Sequence, residues 1–112
     1  MINLNYLKTI FGDDQKEINE FLNLFVNSAQ KSVQEIEQAT QNKNVRLLKF
    51  QLHKLKGSAG NSGFVKLADV CQQAEDHIEQ QDWTLIARDC LEIKNYILRL
   101  ENEVAKKSIA CS

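Results

Sequence analysis

From Trp83 to Val104 the apolar residues Trp83, Ile86, Cys90, Ile93, Ile97, Leu100 and Val104 follow one another at spacings of three and four without a break. Only an α-helix returns such positions to one side, and a seam this regular is what an antiparallel bundle or coiled coil buries. One helix cannot bury its own seam, so the rest of the chain has to supply partners. Proline is absent, and three of the four glycines fall between Gly57 and Gly63. That distribution leaves helix free to run almost continuously, with one special corner.

The partners can be read in turn. Residues 1–12 form a short amphipathic helix carrying Leu4, Leu7 and Phe11 and closed by Gly12, marginal unless docked on something larger. Asp14, with Glu17 three residues on, opens a long helix whose apolar face is Ile18, Phe21, Leu22, Phe25, Ala29, Val33 and Ile36. The polar run Gln38 to Lys43 ends it. Asn44 caps the next helix, with Val45, Leu48, Leu52, Leu55 and Ala59 as its buried stripe. Asn61, Ser62 and Gly63 then supply turn chemistry and a cap for a helix lined by Leu67, Cys71, Ala74 and Ile78. Asp82 caps the last. The expected fold is all-α, an antiparallel up-down-up-down four-helix bundle with a short extra N-terminal helix. The chain reads as a single domain, 1–112, with bundle helices over 13–41, 44–59, 63–80 and 82–107.

Length and charge exclude several functions. With 112 residues there is room for one packed core but not for a catalytic domain beside a regulatory one. The formal net charge is −1, from 14 basic and 15 acidic residues, so there is no polybasic footprint for nucleic acid. No run approaches the ~20 apolar residues of a membrane span, and no signal peptide is evident. Three cysteines, Cys71, Cys90 and Cys111, lack any close pairing; Cys71 and Cys90 read as small buried hydrophobes in a reducing compartment, Cys111 as part of a frayed tail. A cytoplasmic, monomeric protein is expected, and the initial Met and full set of helices favour a free-standing one.

The buried stripe of the third segment leaves His53 about 130° from its centre, facing water. Arg46, Lys49, Lys56, Gly57 and Gly60 share its side of the helix. Glycine within a helix costs about 1 kcal/mol relative to alanine, so Gly57 makes sense where something must approach the backbone. A partner surface fits that requirement. Phe50 lies beside His53, and Leu24 likewise lies outside its own seam. Phe50 either joins an apolar ring around the histidine or packs under the N-terminal helix.

His53, Lys56, Gly57, Ser58 and Gly63, followed by Leu67, Ala68, Cys71 and Glu75, resemble the histidine-containing phosphotransfer (HPt) domains of multistep phosphorelays. The likeness is sharp over about residues 44–79 and architectural elsewhere; position 59 is alanine where many members carry a second serine. It implies a phosphoryl carrier with no kinase activity of its own, His53 accepting the group from a receiver aspartate, by analogy on Nε2. A neutral imidazole suits that attack near pH 7. Lys56 would face the equatorial oxygens of the transferred group and Lys49 could assist, or be an ordinary solvated charge like Arg46. Gly57 and Gly60 would admit the partner, Ser58 would bond nearby backbone, and Glu75 and Gln72 sit near family positions that can orient the ring. The resemblance further implies a response-regulator receiver as partner, with a hybrid sensor kinase as a second candidate, no cofactor of the chain's own, and Mg²⁺ on the receiver.

Competing chemistries find little support in the residues. There is no G-x-G-x-x-G or Walker loop, and neither histidine has the glutamate three residues before it that bundle di-iron sites require: position 50 is Phe and position 74 is Ala. Cys71 and His77 diverge on a helix, which disfavours zinc. His77 reads as a surface histidine. The alternative to a carrier is a helical adaptor or dimerisation module that uses the same face, or the last helix, without phosphoryl chemistry.

Overall fold

Each helix begins and ends where local chemistry dictates. In the computed structural model the five helices are α1 (Leu4–Phe11), α2 (Gln15–Gln41), α3 (Val45–Asn61), α4 (Val65–Glu79) and α5 (Trp83–Cys111). The structure describes residues 1–111, with side chains through Lys106; the tail expected around Cys111 lies outside the residues whose side chains are described. Asn3, Asp14, Asn44 and Asp82 each accept a bond from a backbone N–H three residues on, at 3.0–3.2 Å. These caps satisfy amides that the first helical turn leaves without partners.

The bundle helices are joined by three turns of one design. In each, a residue in the left-handed region ends the helix: Lys43 (φ 52), Gly63 (φ 82) and Gln81 (φ 57). The following N–H returns five residues, Asn44 to Ala39 O at 2.8 Å, Phe64 to Ala59 O at 2.9 Å and Asp82 to His77 O at 3.2 Å. This is the Schellman closure, and its last residue stands at the start of the next helix. It also explains why α3 runs through Gly57 and Gly60 to Asn61 instead of stopping at Ala59. The cap expected for α4 from residues 61–63 is absent as well: Phe64 takes the N-cap position without a side-chain bond. Its ring is buried and stacks on Phe25 at 4.7 Å, so burial replaces polar capping there.

Turns this short make chain neighbours antiparallel. α2 packs on α3, α3 on α4 and α4 on α5, and α5 closes the ring against α2. The core is the set of stripes read from spacing, with Ile18, Leu22, Leu48, Leu52, Leu67, Ile86, Ile93 and Leu100 fully buried. Each such side chain contributes roughly 1.5–3 kcal/mol over leaving it exposed. Val45 does not belong to that stripe; it is 40% exposed, because the first turn of α3 projects past the end of the core.

The helix α1 closes one end of the bundle. Leu7 is buried, Phe11 stacks on Phe21 at 5.2 Å, and the Tyr6 hydroxyl donates to Asn61 O at 2.9 Å. The Tyr6 ring lies so near the α3–α4 corner that a Cβ on Gly63 would fall 2.8 Å from Tyr6 Cδ2. Gly63 is thus required twice, for its φ and for the ring above it. Gly63→Ala should destabilise the fold by about 2 kcal/mol and loosen Tyr6, to be read by urea unfolding and tyrosine fluorescence. An unchanged midpoint would remove this role from Gly63.

Candidate functional site

The buried neighbours of His53, Leu52 and Leu55, fix its outward direction, and its side chain is 79% exposed. The ring leans toward α4, where Glu75 Oε1 lies 3.8 Å from His53 Nδ1. That separation is too long for a hydrogen bond. Oε1 is itself buried with no hydrogen-bond partner, while Glu75 Oε2 accepts from Lys56 Nζ at 2.9 Å. Gln72 Oε1 accepts from the same ammonium at 2.9 Å, and Gln72 Nε2 donates to Asp76 Oδ1 at 3.0 Å. One turn before the histidine, Lys49 Nζ pairs with Glu79 Oε1 at 2.6 Å.

Two ion pairs between α3 and α4 therefore frame the imidazole. Lys49, His53, Gln72, Glu75, Asp76 and Glu79 line one open groove of about 310 Å³. The cations that share the His53 side of α3 do not make a basic patch; the groove is of mixed charge, since α4 carboxylates meet both Lys49 and Lys56. The Lys49–Glu79 pair is solvent-exposed and contributes little to stability. Lys56 and Glu75 are mostly buried side chains, so their pairing holds the two helices in a defined register.

The opposite flank of His53 is apolar and open. Phe50 is 62% exposed, so it does not pack under α1; with Asn44, Arg46 and Leu47 it lines a shallow depression of about 260 Å³. A side chain added at Gly57 or Gly60 would meet nothing within 4 Å, leaving bare backbone next to the ring. At the end of α3 the side-chain bond is made by Ser62, whose hydroxyl donates to Ser58 O at 2.7 Å. Ser58 contributes its carbonyl there, where a hydroxyl bond was expected.

Residues 20–103, well over half of the chain, match the family model of the Hpt domain. The chain belongs to the Hpt domain family. Hpt domains are histidine phosphotransfer modules of phosphorelays, and they interact with receiver domains of response regulators and with kinases. No curated protein and no solved structure gives a significant match. Among the described residues no helix is long and apolar enough to cross a membrane, and no group of three or more His, Cys, Asp or Glu is placed to hold a metal ion.

Within this Hpt domain the structure brings His53, Lys56, Lys49, Gln72 and Glu75 together and adds Asp76 and Glu79, which spacing alone did not single out. A signal for them exists: Glu75 and Glu79 lie one turn apart on α4, facing lysines on either side of His53 on α3. His77 is not a surface residue. Its side chain is only 15% exposed, and Nδ1 pairs with the carboxylate of Asp89 on α5, which is completely buried. Gln73 Nε2 donates to the other Asp89 oxygen at 2.6 Å. Burial pushes the Cys71 thiol up to about 12, with Glu75 adding to the effect, and raises Cys90 also, so both stay protonated and inert.

Proposed function

We propose that this Hpt domain carries a phosphoryl group between receiver-domain aspartates of a two-component phosphorelay, with His53 as the acceptor. The observation that carries the reading is the exposed imidazole of a family member, set between Lys56 and bare α3 backbone in an accessible groove. With Nδ1 turned toward Glu75, Nε2 is the nitrogen directed away from α4 and the better placed nucleophile. Lys56 supplies positive charge to the equatorial oxygens in transit, with Lys49 one turn away. Gln72 steadies Lys56. Phe50, Gly57, Ser58 and Gly60 belong to the surface on which a receiver docks, and the receiver brings its own aspartate and Mg²⁺. A monomer working in the cytoplasm suits this role.

Incubation with a phosphorylated receiver tests the reading. Label on the protein that is acid-labile and alkali-stable is the expected result. A folded protein that takes no label from any of a panel of receivers would return this face to an adaptor role without phosphoryl chemistry.

Docking can be tested separately at Gly57. Because its Cβ direction is empty, Gly57→Ala should stabilise α3 by about 1 kcal/mol, whereas Gly57→Trp should weaken receiver binding by roughly tenfold or more with helicity intact. A binding titration paired with circular dichroism would contradict this if the tryptophan variant bound like the parent.

A further inference from the structure

The outer side of α5 carries a second heptad pattern, opposite the buried seam. Leu91, Asn95, Leu98 and Asn102 follow one another at spacings of four, three and four, all exposed, and the helical repeat sets them in one stripe. Among the described residues Leu91 and Leu98 are the large apolar side chains that α5 exposes, at 58% and 47%. Leucines one heptad apart, alternating with asparagines, make the narrow seam of a two-helix contact, in which polar residues fix register at a cost in stability. Within the bundle α5 packs on α2 and α4, and this stripe faces away from both.

We propose that this stripe pairs two copies of the chain through antiparallel α5 helices. The charges beside it say what fits: Glu92 and Arg99 run along one flank, Lys94 and Glu101 along the other. Flanking charges of such a seam set the partner and its direction. When a second α5 is laid antiparallel about a two-fold axis, with Asn95 level with Leu98 of the second copy, each flank faces its own counterpart. Glu92 then meets Arg99 of the second copy and Lys94 meets its Glu101, each twice by symmetry. All four flanking contacts are attractive, whereas a parallel pair would set Lys94 against Arg99. Lys94 already holds Glu37 at 2.9 Å, and its ammonium has further N–H groups for a second carboxylate. At the ends Arg88 comes near Lys106 of the second copy, where both charges reach water and the repulsion is small. With two leucines from each copy the contact is small, so the pair is weak and the monomer prevails when dilute. The helix α3 lies diagonally across the bundle from α5, so pairing leaves the His53 groove of each copy open. The pairing does not depend on His53 being the acceptor.

Sedimentation in reducing buffer tests the pairing. The parent should be monomeric at about 10 µM and move toward dimer with a dissociation constant on the order of 100 µM, as suits a small interface. Leu98→Lys, which puts a charge into the seam, should remain monomeric to about 1 mM. Glu92→Arg sets arginine against Arg99 twice and should weaken pairing by about tenfold, as should Arg99→Glu. The double variant restores both contacts with their signs exchanged and should return to within about threefold of the parent. All three positions are exposed, and circular dichroism establishes that each variant is folded. A parent still monomeric at the highest concentration would overturn the proposal and leave a helix of another protein as the occupant of the stripe. So would a dimer that survives Leu98→Lys, or a double variant that pairs no better than either single one, since only the antiparallel register joins positions 92 and 99.

Discussion

His53→Gln should take up no phosphoryl group from a phosphorylated receiver, a loss of at least roughly a thousandfold, as expected when a nucleophile is removed. Glutamine has a side chain of similar reach but no ring nitrogen with a free lone pair. The change should be silent elsewhere. Position 53 is 79% exposed on a helix surface, so stability should stay within about 0.5 kcal/mol of the parent. His77 cannot take over the reaction, because its ring lies against Asp89 between α4 and α5 with 15% of its side chain exposed. Residual acid-labile label at the parent level in the His53 variant would place the acceptor elsewhere and remove the basis of the proposed function.

His77→Ala should destabilise the bundle by about 3 kcal/mol, because it leaves the space of the ring empty and takes a hydrogen-bond partner from the buried Asp89 carboxyl. Asp89 is completely buried, and without His77 its remaining close donor is Gln73, with Arg88 Nη2 3.7 Å from Oδ1. The magnitude is large against the 5–15 kcal/mol that holds a typical domain together. Replacing both partners, as in His77→Leu with Asp89→Leu, should restore much of the loss, since apolar residues can fill the space without a stranded charge. Urea unfolding of the three proteins would decide the matter. A single variant as stable as the parent would show that water reaches Asp89 and that the pair does little to join the helices.

The architecture was legible because a helix writes its buried side into its spacing. Ile86, Ile93, Ile97 and Leu100 are core residues for the reason their intervals suggested, and the concentration of glycine near position 60 marked the corner that the chain turns. The direction of His53 followed from the same periodicity. What periodicity does not contain is the rotation and height of one helix relative to its neighbour, and the misreadings around Lys49, Lys56 and His77 are of that kind. Lys56 and Lys49 pointed out of α3 as expected, but the carboxylates that meet them come from α4. His77 looked like a solvated residue because its partner is twelve positions away on another helix. Asp89 itself lies three residues after Ile86 and four before Ile93, at the edge of the α5 seam. A charge so placed is the one sequence sign that a polar partner is needed inside.

The three short closures between helices leave almost no slack in the backbone. A bundle joined this way has little freedom to close around a partner. Recognition then falls to a preformed outer face, so little ordering entropy is lost when a second protein settles on it. Brief, reversible encounters with a partner are what such a stiff rod of helices is suited to sustain.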